Sequence, residues 1–351
     1  MWKAVERKVF MTYQTAKARF EAIDSVLTAV RDKETAILTT HINADGDGCG
    51  SEIALAAWLR AEGTEAFIVN PTPFPQSFKF LVLDDSWVVD ATSAQAQELC
   101  DGADVAVVLD TGEIPRIGRV RRLIDGLPTV VIDHHPTGDR GIEGLSFRDT
   151  NASATGELVF DVIHRAGGPW SASGDLGMYV AILTDTGSFR FSNTTATCLQ
   201  IAAELVGRGV SPDEIYRRIY GDIPRRRFHL LESALAFLEV DEEGGVAWMT
   251  VPADQFDALG ATADDLEGMV DYPRDVAGVE VGLLFRQIPR KGIKVSFRSN
   301  GAVNVNVLAR RFGGGGHVKA AGALIEGRME QVRDDVTHAT REAVELSRLG
   351  L

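Results

Sequence analysis

Four short runs rich in Val and Ile mark the first 135 residues: "TAILTT" (35–40), "EAFIVN" (65–70), "VAVVLD" (105–110) and "TVVIDHH" (129–135). They read as buried strands. Between the first two, "SEIALAAWLRAEG" has helical spacing and ends on Gly. Strand–helix–strand spacing of this kind predicts βαβ units and a parallel sheet. Such a sheet also dictates where ligands go, because the carboxyl ends of its strands form the binding crevice. His41 to Asp47 follow the first run, Asp110 ends "VAVVLD", and Asp133 to His135 end "TVVIDHH".

The chain then changes character twice. From Ala154 to about Leu238 the pattern is helical, in "TGELVFDVIHRAG", "GDLGMYVAILTDTG", "ATCLQIAAELVGRG" and "SPDEIYRRIY". "EVDEEGG" (239–245) reads as a linker or tight turn. Beyond it, "VAWMTV", "VEVGLLFRQI", "GIKVSFRS", "AVNVNVLARRF" and "AGALIEG" read as short strands and helices, and a last helix begins at about Met329. A chain of 351 residues suits two domains better than one core. The expectation is an α/β domain followed by a smaller α+β domain.

Formal net charge is −14, which argues against a protein that coats DNA non-specifically. The charge is uneven. From Val281 to Ala320 there is no Asp or Glu, yet Arg286, Arg290, Lys291, Lys294, Arg298, Arg310, Arg311 and Lys319 all fall there. On charge alone this window fits a local anionic ligand or a solvated basic face equally well. The cysteines Cys49, Cys100 and Cys198 are scattered and form no CxxC pair, so neither a disulfide framework nor a zinc knuckle is suggested. A reducing cytoplasm fits. No apolar run reaches the length a membrane-spanning helix needs. The basic, roughly amphipathic "MWKAVERKVFMTYQTAKARF" lacks the apolar core of a secretory signal and reads as a first surface helix in preference to a transit peptide.

His41, Asp45, Asp47, Asp110, Asp133, His134 and His135 gather at predicted strand ends, and Asp185 in "ILTDTGSFRFSN" closes an apolar helix. Carboxylates crowded into one crevice repel and raise each other's pKa unless cations neutralise them. Carboxylate oxygen with imidazole nitrogen and no thiolate favours Mn²⁺ or Mg²⁺ over zinc. The ligands exceed what one ion needs; two ions about 3.5–4 Å apart are the arrangement suited to phosphoryl chemistry. The pieces are weaker singly. "DGDG" alone reads as an acidic turn; an EF-hand is excluded because Ala56 stands where the loop needs Glu, and a P-loop because no Gly-Lys-Ser/Thr follows. "DHH" after a Val-Val-Ile run is poor core material and favours a site. Asp185 alone is equally a helix-end residue bonded to its own loop. Asp161, His164 and His229 read as ordinary helix-surface residues.

A second cluster is "RRFGGGGHVKAAGA" (310–323). Its consecutive glycines, Gly313 to Gly316, are expected to leave bare N–H groups free to wrap an anion, with His317 and Lys319 beside them. In "KVSFRS" (294–299), strand alternation puts Lys294, Ser296 and Arg298 on one face and Val295, Phe297 and Ser299 on the other. Arg298 is placed to clamp a phosphate bidentately.

"HINADGDGCGS", "VVLDTGE", "VIDHHPT" and "ILTDTGSFRFSN" resemble the four motifs of the DHH phosphoesterases, and "IKVSFRS" with "FGGGGHVKAAG" resembles the associated DHHA1 domain. The match is most similar to the branch of bifunctional oligoribonucleases and pAp phosphatases, the nanoRNases. The resemblance implies His41, Asp45 and Asp110 on one Mn²⁺, and Asp47, Asp110, His134 and Asp185 on the other, with Asp110 shared. Mg²⁺ or Co²⁺ are alternatives. It implies that Asp133 orients ligands and His135 faces the substrate phosphate, so Asp110, Asp133 and His135 form the catalytic group. Arg298, Ser299, Gly313, Gly314, Gly315, Gly316 and His317 would hold the rest of the nucleotide. It further implies a mainly parallel DHH domain at 1–220, a helical linker at 221–245 and an α+β DHHA1 domain at 246–351, with the active-site cleft between the domains. Ala44 stands where the family usually has Pro, at a position that is not a ligand. The expected activity is Mn²⁺-dependent degradation of short oligoribonucleotides to mononucleotides and dephosphorylation of pAp to AMP, in the cytoplasm, away from membranes, with room for a homodimer. The alternatives are a cyclic-dinucleotide or pApA phosphodiesterase and a nucleotide-binding regulator without turnover.

Overall fold

The computed structural model describes residues 13–350, apart from Thr137, Asp139, Asp222 and His317. The chain divides into two compact units, Met1–Gly221 and Asp222–Leu351. The first is built on strands β1 (Thr35–Thr39), β2 (Glu65–Asn70), β3 (Val88–Asp90), β4 (Val105–Leu109), β5 (Thr129–Asp133) and β6 (Leu145–Arg148), in the order β3-β2-β1-β4-β5-β6. Every pairing is parallel. Its helices are α1 (Phe20–Val30), α2 (Gly46–Ala61), α3 (Ala94–Asp101), α4 (Val120–Leu123), α5 (Thr155–Ala166), α6 (Ala172–Asp185), α7 (Ala196–Gly207) and α8 (Pro212–Tyr220).

The Val/Ile runs are apolar on both alternations because both faces of the sheet are covered. Leu38, Val107, Leu109 and Ile132 pack with residues of α2, α5 and α6 on one side. Ile37, Val108 and Val131 pack with residues of α3 and α4 on the other. The chain winds from β1 outward to β2 and β3, then returns to place β4 on the opposite side of β1. This reversal opens a crevice at the carboxyl ends of β1 and β4. Strands β3 and β6 escape the sequence pattern. They are short edge strands, covered less completely than the central ones.

Helices α2 and α6 cross at Gly50 and Gly177. A Cβ on either would fall within 2.5 Å of the other's carbonyl oxygen, so only glycine allows this approach. The crossing brings the start of α2, with Asp47, to the end of α6, with Asp185. No helix among the described residues is long and apolar enough to cross a membrane.

The second unit carries β7 (Glu239–Asp241), β8 (Val246–Val251), β9 (Val281–Ile288), β10 (Gly292–Ser299), β11 (Gly315–Gly316) and β12 (Ala320–Ile325), ordered β11-β12-β10-β9-β8-β7. Among the described residues only the β8–β9 pairing is parallel. Its helices are α9 (Arg225–Leu235), α10 (Ala253–Ala258), α11 (Asp271–Arg274), α12 (Val305–Arg310) and α13 (Met329–Arg348). Val295 and Phe297 pack with Leu308 and Val336 on one face of the sheet. On the other, Leu230 and Ala234 of α9 pack with Met249 and Leu284. The expected linker at 221–245 is therefore largely structural. It contains α9, which covers the sheet, and β7, which pairs with β8, so "EVDEEGG" is one arm and the turn of a hairpin.

Candidate metal centre

Each first-unit motif ends a strand or a helix, so its side chains converge. His41 lies just beyond β1, Asp45 caps α2, and Asp47 sits in the first turn of α2. That helix starts at Gly46, earlier than its apolar pattern suggests, because the Asp45 carboxylate accepts from Asp47 N and Gly48 N. Asp110 follows β4 with φ +60°, a left-handed conformation uncommon outside glycine. His134 and His135 follow β5, and Asp185 ends α6.

The ligating atoms of His41, Asp45 and Asp110 lie within 4.8 Å of one another, as do those of Asp47, His134 and Asp185, and those of Asp110, His134 and His135. His41 Nε2 is 3.3 Å from Asp110 Oδ2 and 3.7 Å from Asp45 Oδ2. His134 Nε2 is 3.6 Å from Asp47, 3.6 Å from Asp110 and 3.7 Å from Asp185. The other ring nitrogens face backbone carbonyls: His41 Nδ1 lies 3.0 Å from Ile42 O and His134 Nδ1 3.3 Å from Ala152 O. A carbonyl only accepts, so each Nδ1 carries a proton, and a neutral ring would turn an Nε2 lone pair toward carboxylates. Both Nε2 atoms are buried and make no hydrogen bond. Lone pair against carboxylate is repulsive, and a cation between them removes the conflict.

Where no metal ion is bound, a proton takes that place. Burial, then Asp47, pushes Asp110 well above the carboxylate range; burial, then Asp47, pushes Asp185 up to about 7. Burial works against charging His41, but Asp110 and Asp45 outweigh it and push the ring up to about 10. Burial likewise opposes charging His134, while Asp47 and Asp110 push it up to about 9. Protons and metal ions compete for these nitrogens. Asp133 Oδ1 accepts from His135 N at 3.0 Å and pairs with His135 Nδ1 at 2.9 Å, while its Oδ2 is 3.5 Å from Arg148. Burial opposes it, but His135 holds the Asp133 carboxyl below the usual range.

The family model for the DHH family, N-terminal domain, matches residues 35–186, and that for the DHHA1 domain matches residues 246–345. The bifunctional oligoribonuclease and PAP phosphatase NrnA of Thermus thermophilus is 35% identical over 315 residues, covering 89% of this chain and 90% of its own. The chain belongs to the DHH family. It is a hydrolase of phosphoester bonds. The enzyme of the same name from Bacillus subtilis is 31% identical, covering 83% of this chain and 90% of its own. A crystal structure of an exopolyphosphatase-related protein from Bacteroides fragilis aligns with a TM-score of 0.88 at 26% identity, covering 93% of this chain and 97% of that one.

Within the DHH unit, several supporting residues carry no recognisable sequence signal. Thr155 N and Gly156 N, at the start of α5, donate to Asp47 at 2.6 and 2.9 Å. Thr155 Oγ1 donates to Asp110 at 3.1 Å. Asn193 Nδ2 donates to Asp185 Oδ2 at 3.2 Å and to Ser153 O at 3.0 Å. Asn193 lies inside "ILTDTGSFRFSN", so its motif was visible though its role was not. Asp161 is not a surface residue, and His164 is half-buried. Asp161 is buried against Tyr13 and Arg19, and His164 Nδ1 lies 3.1 Å from Thr15 Oγ1. His229 is exposed, as expected.

The DHHA1 unit corrects two expectations. The glycine run is not a row of bare donors. Gly313 N donates to Arg310 O, Gly314 N to Ala309 O and Gly316 N to Asn306 Oδ1. Gly315 and Gly316 form β11 against β12, and a Cβ on Gly314 would sit 2.2 Å from Gly322 O. Close strand approach requires Gly314 and Gly316, and Gly313 takes a left-handed φ of +72°. Ser299 points inward with Val295 and Phe297 and donates to Gly301 O, because strand alternation outweighs its polarity. Arg298 lies on the opposite face, with Nε 3.8 Å from Asp271. His317 lies outside the described residues.

Proposed function

We propose that this chain degrades short oligoribonucleotides to mononucleotides and dephosphorylates pAp to AMP, using two divalent cations, Mn²⁺ foremost. The observation that carries the reading is the pair of buried imidazole Nε2 atoms, each turned toward carboxylates and without a hydrogen-bond partner. His41, Asp45 and Asp110 would hold one cation, and Asp47, Asp110, His134 and Asp185 the other. Bound there, the cations supply Lewis acidity that lowers the pKa of water and offsets phosphoryl charge. The chain's own residues position the rest. Asp133 fixes the His135 ring so that it meets a phosphoryl oxygen, and the α5 N–H groups keep Asp47 in place. In the DHHA1 unit, Arg298 is the group suited to bind a nucleotide phosphate. The bifunctional enzymes of Thermus and Bacillus support the substrate class.

The test is a panel of pAp, RNA 2-mer, 5-mer and 24-mer, pApA and cyclic di-AMP, each with Mn²⁺, Mg²⁺, Co²⁺ or chelator. The expected result is mononucleotide release from the 2-mer and 5-mer and phosphate release from pAp, abolished by chelator and by Asp110→Ala. Preference for cyclic di-AMP or pApA would overturn the substrate assignment. Full activity of Asp110→Ala would overturn the centre.

A further inference from the structure

Beyond "VVLDTGE" the chain runs through "IPRIGRVRRLID" (114–125), which places Arg116, Arg119, Arg121 and Arg122 within seven positions. A 3₁₀ turn (Ile114–Ile117) and α4 shape the segment. Ile117, Val120 and Ile124 are buried in the core beneath the sheet, which turns the arginines outward. Arg119, Arg121 and Arg122 are exposed and Arg116 is half-buried. None of the four makes a side-chain hydrogen bond or an ion pair among the described residues. Elsewhere in the same unit, Arg165, Arg208 and Arg218 each hold a carboxylate within 2.9 Å. Arg119 lies within electrostatic reach of Asp90, while Arg116, Arg121 and Arg122 form no ion pair among the described residues, which leaves the cluster open to an external anion.

The segment is tied to the metal centre. Ile42 N, next in the chain to His41, donates to Arg116 O at 2.7 Å. The arginines follow Asp110 by six to twelve positions along one loop and helix. Arg121 and Arg122, with Gly118 and Asp125, line a surface cavity of about 420 Å³.

We propose that this arginine turn binds the backbone phosphates of an oligonucleotide outside the nucleotide being hydrolysed. The proposal rests on the reading of the chain as a short-oligonucleotide hydrolase and goes further by placing a chain-length determinant in the DHH unit. Guanidinium groups suit it, because they bind phosphate in a planar fork and carry no sequence preference.

The experiment compares the wild-type chain with the double variant Arg121→Glu/Arg122→Glu. It measures KM on pAp and RNA 5-mer with Mn²⁺, and binding of a fluorescent 5-mer by anisotropy in chelator across a salt series. Losing two phosphate contacts should weaken 5-mer binding about tenfold and lower the salt slope by about 1.4. KM for the 5-mer should rise several times more than KM for pAp. A 5-mer affinity and salt slope equal to wild type would overturn the proposal, as would equal KM increases on both substrates. Wild-type hydrolysis of the 5-mer beside an unaffected variant sinks only the proposal. A wild-type chain that neither binds nor cleaves the 5-mer sinks both the proposal and the functional reading.

Discussion

Two buried acidic clusters lie in the DHH unit, and they resolve the same electrostatic problem differently. In the first, Asp149, Glu157 and Asp161 surround Arg19, whose guanidinium lies 2.7, 2.9 and 2.7 Å from them. Tyr13 adds a hydrogen bond to Asp161 at 2.6 Å. In the second, Asp47, Asp110 and Asp185 have no arginine or lysine ion pair among the described residues; they face the imidazoles of His41, His134 and His135, and the Nε2 atoms of His41 and His134 find no hydrogen-bond partner. Buried carboxylates need a cation or a proton. The first cluster carries its cation in the chain, as a structural element does. The second is arranged to take one from solution, and in the proposed function that cation would also serve a substrate. A third acid shows the remaining solution. Glu52, fully buried, accepts from Asn70 at 2.9 Å and keeps its other oxygen unpartnered; burial pushes it up to about 8, so it is held by a proton.

The sharpest break in the comparison comes from removing the built-in cation. Arg19→Met should cost about 3–5 kcal/mol of unfolding free energy, measured in denaturant, because it leaves buried carboxylates uncompensated. A loss below about 1 kcal/mol would mean the Arg19 cluster is not held by charge. The counterpart is addition of a divalent cation. Mn²⁺ at a hundred times its Kd should stabilise the wild type by about 2.7 kcal/mol, read as a rise in Tm. Asp110→Asn should lose that rise, whereas Tyr13→Phe, which touches only the Arg19 cluster, should keep it. Equal Mn²⁺ shifts in all three proteins would erase the distinction between the clusters.

A smaller effect is expected from Thr155→Val, which removes the hydroxyl donor to Asp110 and leaves the backbone donors to Asp47. Mn²⁺ affinity, titrated calorimetrically, should fall about tenfold with little change in fold stability. An unchanged affinity would limit the positioning of the aspartates to the α5 backbone. Glu52→Gln should alter a slope. The folded pKa of Glu52 is raised, so its contribution to stability is full below the unfolded value and is lost as pH rises through about 8. Wild-type stability should therefore decline from about pH 5 to 8 by at most about 1.4 kcal/mol per pH unit relative to Glu52→Gln. Parallel pH profiles would show that Glu52 is not held by a proton.

The candidate metal-centre residues were legible as a group because each adjoins the end of an element whose periodicity is strong. His41 follows "TAILTT", Asp110 ends "VAVVLD", the two histidines follow "TVVID" and Asp185 closes an apolar helix. The supporting residues were not legible. Thr155 and Gly156 act through backbone N–H groups, which any sequence supplies. Arg19 and Asp161 become a pair only across a separation of 142 residues. The glycine run misled in the opposite direction. Its composition reads as open backbone, but Gly315 and Gly316 pair with β12, Gly314 N donates to Ala309 O and Gly316 N to Asn306.

The sequence by itself determined the strand and helix types, the ends at which acids and imidazoles gather, and the family, because these follow from local periodicity and short motifs. Only the tertiary structure decided which acids share a cation with the chain and which do not. Compensation depends on which charges lie within a few ångströms after folding. In this chain Arg19 reaches one buried acidic cluster, and no arginine or lysine lies within 4 Å of Asp47, Asp110 or Asp185 among the described residues.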